Sequence, residues 1–165
     1  MLYCASMAHI HELIDYTAGV YVVYKDKVLI RRHEKYGFWI HVGGHIELDE
    51  HPVEAAIREV KEEVGLDIVI ESYDGAKAKD TTKRLSEAEK ATPLPTPKHM
   101  NIHPIDETHQ HLDLIFYGLS KTDQVIPESP DDQWVWLTAE EVEKHPDMTA
   151  LMKKYALGAL AELGS

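Results

Sequence analysis

Cysteine is nearly absent from this chain: Cys4 stands alone among 165 residues. That excludes a framework of internal disulfides, argues against a structural zinc site, and makes a reducing cytosol the expected setting. Basic residues are scarce too, with 17 Lys and Arg against 29 Asp and Glu and a formal charge of −12. Such a balance argues against a nucleic-acid polymer as partner, because gripping a phosphate backbone calls for a basic patch. Small phosphorylated ligands remain open, since a bound cation inverts the local sign. No stretch is apolar for long enough to span a bilayer, and the opening MLYCASMAHIHELIDY lacks the basic start and sustained apolar core of a secretory leader. The expectation is a cytoplasmic protein with no membrane partner. No internal repeat or second-domain signal is present, and the length suits one domain over 1–165, enough to bury about two thirds of the unfolded surface.

What the chain does contain is concentrated in residues 44–66, GHIELDEHPVEAAIREVKEEVGL. Pro52 can open a helix there, because its missing amide hydrogen lies in a turn without internal partners. Gly65 can close it in the left-handed conformation. Over residues 52–64 the helical period puts Val53, Ala56, Ile57, Val60 and Val64 on one stripe, predicted to face a core. A second stripe carries Glu59, Glu62 and Glu63, while Glu54, Arg58 and Lys61 take the third side.

Crowded glutamates repel. Like charges three or four residues apart cost an isolated helix about 0.2–0.5 kcal/mol per pair. Arg58 offers the only nearby relief, reaching Glu54, Glu62 or Glu50. A hard dication would remove the repulsion, and magnesium suits oxygen ligands that join carboxylates to a substrate's phosphates. EVKEEVG alone would read as a solvated acidic face; Gly43, Gly44, Glu50 and Arg58 at matched spacing change that reading.

The segment resembles the Nudix box, Gx5Ex7REUxEExGU with U aliphatic. Every specified position matches: Gly44, Glu50, Arg58, Glu59, Val60, Glu62, Glu63, Gly65 and Leu66. The resemblance implies an α/β Nudix fold, an α/β/α sandwich on a mixed β-sheet. It implies a hydrolase that cleaves a diphosphate linkage with Mg2+, or Mn2+ in its place. Metal ligands would be Glu59, Glu62, Glu63 and the Gly43 carbonyl, with Glu62, Glu59 and Arg58 as the catalytic group and Gly44, Glu50 and Gly65 as structural positions. Two departures stand out. Val42 replaces the proline common before the two glycines. Gln133 stands before Trp134 where relatives often carry an acid, with Asp131 and Asp132 just upstream, so the general base is left unassigned.

Around the box, residues 16–24 and VLIRR read as a hairpin interrupted at Lys25 to Lys27, and Phe38 to Val42 as a short strand. Strands are also expected at 66–73, 100–105, 111–119 and WVWL of 134–137, with 126–133 a loop. Thr138 should cap a helix AEEVEK with Glu141 completing the pattern. A terminal helix is expected over 148–163, apolar at Leu151, Tyr155, Ala159 and Leu163. Residues 75–97 read as a loop insertion, equally a lid or a plain mobile segment.

Substrate contacts are expected from Arg32 at the end of its strand, with Arg31 facing the other way. Trp39 is a candidate for stacking on a base, and a buried aromatic by its ordinary reading. His33, His41, His45 and His51 crowd the approach to the box, while His9 and His11 read as exposed. His109, His111 and Asp113 alternate onto one side of a late strand, where they either line the pocket or cap a sheet edge. The expected partner is a small phosphorylated nucleotide, most simply a nucleoside triphosphate yielding monophosphate and pyrophosphate. The alternatives are ADP-ribose or a nucleotide sugar, or a non-catalytic module that senses nucleotides or contacts protein. Isoprenoid diphosphate isomerisation would call for an active cysteine, for which Cys4 is a poor candidate. Homodimer assembly stays open.

Overall fold

The computed structural model describes residues 13–33, 37–70 and 94–165. Cys4, His9, His11, the strand expected beyond Ile70 and the insertion as far as residue 93 lie outside them. Among the described residues, eight strands and three helices follow in order: β1 (Ile14–Tyr24), β2 (Lys27–Arg32), β3 (Trp39–Ile40), β4 (Val42–His45), α1 (Pro52–Val64), β5 (Ile68–Ile70), β6 (His99–Pro104), β7 (Gln110–Ser120), β8 (Trp134–Leu137), α2 (Ala139–Lys144) and α3 (Ala150–Leu163).

All strands join one mixed sheet with the central order β3-β2-β1-β7-β5. β1 and β7 run parallel over ten residue pairs, and every other pairing is antiparallel. Buried Ala18, Val20, Val22 and Leu29 pack with Val53, Ala56, Val60 and Val64 of α1. The alternate residues Tyr21, Val23, Val28 and Ile30 pack with Val142 of α2 and with Tyr155 and Ala159 of α3. Helices therefore cover both faces, and strands buried on both sides read as continuous apolar runs.

Local signals account for most boundaries. The β1–β2 hairpin turns through Lys25 and Asp26, with Lys25 left-handed at φ 54°. His51 caps α1: its Nδ1 accepts from the Glu54 amide at 3.3 Å, and a Glu54 oxygen accepts from the His51 amide at 3.1 Å. Gly65 ends α1 at φ 69°. Thr138 and Glu141 form the reciprocal cap expected for α2. The C-terminal helix starts two residues later than expected, because Thr149 caps it and buried Met148 precedes the cap.

Three expectations change. The strand expected over 38–42 is two strands, since Trp39 and Ile40 pair with β2 whereas Val42 to His45 pair with β1. On α3, Leu151 is exposed. On α1, Ile57 is 38% exposed and Ala55 is fully buried. The buried arc of α1 is thus rotated toward its acidic stripe, where two small alanines let the helix lie close to β4. That rotation half-buries two glutamates.

Candidate active site

Backbone geometry positions the box. Gly43 has φ 149°, and a Cβ there would stand 2.2 Å from the Ala18 carbonyl oxygen, so only glycine fits against β1. A Cβ on Gly44 would stand 2.5 Å from a Glu59 carboxylate oxygen. The two glycines let α1 lay its carboxylates against β4.

Two arginines hold those carboxylates. Arg58 donates from Nε and Nη2 to both oxygens of Glu50, at 3.0 and 2.7 Å, and from Nη2 to the His45 carbonyl at 3.0 Å. Its Nη1 donates to Glu59 at 2.8 Å and to Glu62 at 2.9 Å. Arg58 therefore organises Glu50, Glu59 and Glu62 together, while Glu54 is engaged at the helix cap. Arg31 of β2 pairs with Glu63 and donates to Asp132 at 3.3 Å. Glu63 also accepts from the Gly43 amide at 3.0 Å.

Burial sets the electrostatics. The side chains of Glu59 and Glu63 are 15% and 12% exposed, against 54% for Glu62. Burial raises the Glu59 carboxyl despite the Arg58 hydrogen bond. Glu63 is pushed up to about 7 by burial, with Glu59 and Asp132 adding to the rise and Arg31 and Gly43 opposing it. Glu50 goes the other way: burial would raise it, but the Arg58 fork and the Glu47 amide hold it below the usual carboxylate range. Half-buried carboxylates disfavoured as anions are suited to a divalent cation, which stabilises the charge that burial penalises.

A cleft of about 610 Å³ opens beside Glu63. Its walls include Arg31, Phe38, Ile40, Gly43, Gly44 and a set of imidazoles from His33, His41, His45, His103 and His111. Burial pulls His41 below the ordinary histidine range. It does the same to His111, with help from the His45 charge, down to about 4. Burial thus favours the neutral form of both rings.

The NUDIX domain family model matches residues 14–156, covering box, sheet and both helical layers. The chain belongs to the Nudix hydrolase family. A hydrolase of the NUDIX family from Clostridium perfringens has a similar structure, with TM-score 0.77 and 29% identity over 90% of this chain and 97% of that one. The MutT protein from Methanosarcina mazei Go1 is similar in fold, with TM-score 0.64 and 16% identity over 93% and 97% of the two chains. So is a MutT NUDIX hydrolase from Burkholderia pseudomallei, at TM-score 0.57 and 16% identity over 92% and 99%. No curated protein matches significantly. Nudix hydrolases cleave pyrophosphate linkages in small nucleotides and use a divalent metal. Among the described residues, no helix is long and apolar enough to cross a membrane.

Within this Nudix hydrolase the expected site residues divide. Glu59, Glu62, Glu63, Glu50, Arg58, Gly43 and Gly44 come together, and His111 lines the cleft. Arg32 and Trp39 do not line it. Arg32 is exposed and donates to the Gly37 carbonyl and to Gln133, at 3.1 and 3.0 Å. Trp39, paired across from Arg32, packs on the α2–α3 side, 5.6 Å from His145. Their neighbours Arg31 and Ile40 hold the cleft positions instead. Leu29 faces α1, so Arg31, two residues on, faces it as well. VLI is buried on both faces, and alternation alone cannot say which face meets the box. Asp132 is the other residue sequence left undecided. Its side chain is 3% exposed, it pairs with Arg31, and it accepts from the Ser129 amide at 2.9 Å, whereas Asp131 is exposed and Gln133 holds Arg32.

Proposed function

We propose that this chain is a single catalytic domain that hydrolyses a nucleoside triphosphate to the monophosphate and pyrophosphate, with Mg2+ as its metal and Mn2+ able to replace it. The observation that carries the reading is the arginine-held set of Glu59, Glu62 and Glu63, with Glu63 lining a cleft of about 610 Å³. That volume lies within the range of about 300–1,000 Å³ usual for small-molecule sites.

Glu59, Glu62, Glu63 and the Gly43 carbonyl are the proposed metal ligands. When bound, the metal supplies charge neutralisation of the phosphate oxygens and of the leaving group. Arg58 orients Glu59 and Glu62, while its fork on Glu50 fixes the loop before α1. Glu62, the most exposed of the three, is the proposed base that takes a proton from water. Arg31 takes the phosphate-contacting role expected of Arg32, and Asp132 positions it. Phe38, Ile40 and His111 offer the apolar and imidazole surface for a base and sugar.

The test is a panel of nucleoside triphosphates, ADP-ribose and nucleotide sugars incubated with Mg2+, with products identified by mass. Triphosphates should turn over fastest and release pyrophosphate, and Glu62→Gln with Glu63→Gln should abolish turnover. Preference for ADP-ribose or a sugar nucleotide would replace the triphosphate assignment. Nucleotide binding with no hydrolysis of any member would make the domain a sensing module.

A further inference from the structure

Strands β4, β1, β7 and β6 lie side by side, and their register sets polar residues in rows. Asp15 of β1 stands opposite His111 of β7, which stands opposite His103 of β6. Two residues along, His45 faces Thr17, Thr17 faces Asp113, and Asp113 faces Asn101. Residues paired across strands share a face of the sheet, and so do residues two apart, so both rows lie on one face. This face continues into the side of the sheet that carries Tyr21 and Ile115 beneath α3, away from α1.

Buried carboxylates here need partners. Asp15 and Asp113 are 2% and 6% exposed. Asp113 accepts from the Thr17 hydroxyl. Asp15 gathers imidazoles: His109 Nε2 lies 2.6 Å and His45 Nε2 3.4 Å from the same oxygen, Oδ2. The His111 ring stands edge-on to both, with centroids 4.9 Å from His45 and 6.1 Å from His109. Ligand atoms of Asp15, His109 and His111 all lie within 4.8 Å of one another.

We propose that Asp15, His109 and His111 form a second cation site, separate from the box glutamates, that takes a transition-metal ion of the Zn2+ class with His45 as fourth donor. The donor chemistry selects the ion. Magnesium and calcium prefer oxygen shells, whereas imidazole nitrogens with one carboxylate suit zinc and its neighbours. The scarcity of cysteine bears on thiolate sites and leaves an imidazole site untouched. His103, His111 and Asp113 also converge. There, however, one Asp113 oxygen is engaged by Thr17, and His103 Nδ1 sits 3.2 Å from the Asn101 amide oxygen. Because His45 and His111 also line the cleft, an ion held here borders the space the nucleotide would fill.

The experiment uses tag-free, full-length protein loaded with Zn2+, dialysed against millimolar Mg2+ and assayed for metal content. Co2+ loading gives an independent visible absorption spectrum. The expected result is about one Zn2+ retained per chain and Co2+ bands in the visible. His109→Ala, His111→Gln and Asp15→Asn should each weaken Zn2+ binding at least about tenfold and alter the Co2+ bands, with folding checked by circular dichroism. The double variant Glu59→Gln with Glu63→Gln should retain the zinc, as should His103→Ala. No zinc retained by the parent protein, unchanged affinity in the folded His109 and His111 variants, or loss of zinc in the box variant would each overturn the proposal. Every readout is of binding, so the outcome stands apart from whether any nucleotide is hydrolysed.

Discussion

Arg31 of β2 is ion-paired with Glu63 of α1 and also reaches Asp132 from the loop before β8, so one guanidinium ties three distant segments together at the cleft. Its neighbour Arg32 points to the opposite side, where it donates to the Gly37 carbonyl and to the Gln133 side chain. Substituting each should therefore give different results. Arg31→Ala is expected to lower kcat/KM by about a hundredfold and to destabilise the fold by about 2 kcal/mol through lost charged hydrogen bonds. Arg32→Ala should change both little. Steady-state kinetics and denaturant melts of the two variants make the comparison; equal losses would remove Arg31 from the proposed role.

Arg58 acts through a planar fork on Glu50, with Nη1 shared between Glu59 and Glu62. A lysine keeps the charge but cannot reproduce that fork. Arg58→Lys is expected to weaken Mg2+ binding about tenfold, the size typical of losing a group that orients ligands. Calorimetric titration with Mg2+ reads it directly, and affinity matching the parent would show that charge alone suffices.

The two glycines before the box should fail in different ways. A side chain at Gly43 would meet backbone atoms of Ala18 and Gly19 in a left-handed conformation, so Gly43→Ala should lose several kcal/mol of stability. At Gly44 the atoms nearest the new methyl would be those of the Glu59 carboxylate, the movable end of a side chain. Gly44→Ala should melt close to the parent yet bind Mg2+ less tightly. Thermal melts with and without the metal distinguish the two, and a Gly44→Ala protein that loses as much stability as Gly43→Ala would refute the contrast.

Glu63 carries a pH signature. Its folded pKa of about 7, raised by burial, exceeds the ordinary glutamate value, so the folded protein holds a proton that the unfolded chain gives up. Without metal, its stabilising contribution is fully present below the ordinary glutamate range and is lost as pH rises through about 7. At about 1.36 kcal/mol per unit this amounts to roughly 3 kcal/mol. Metal ligation requires the anion, so Mg2+ affinity should climb with pH up to about 7. The check is the difference between parent and Glu63→Gln in melts across pH, which isolates this group from carboxylates such as Glu50 that titrate in the opposite sense. A difference independent of pH would exclude the raised value.

By itself the sequence determined the box helix, its ends at Pro52 and Gly65, the cap at Thr138 and most strand positions. Those depend on local forces: fixed dihedrals, reciprocal caps and side-chain periodicity act over a few residues. It also placed Glu59, Glu62 and Glu63 on one stripe, because helical spacing leaves them no alternative. Tertiary structure decided which way each stripe turns. Ala55 and Ala56 bring α1 close to β4, so burial falls on Glu59 and Glu63 rather than on Ile57. It also decided that Arg31 rather than Arg32 meets the box, since a strand buried on both faces carries no record of which face is which. The meeting of Asp15 with His109, 94 residues apart, is likewise a product of β1 and β7 running parallel. Pairing between distant strands depends on packing the whole sheet, and no local pattern encodes it.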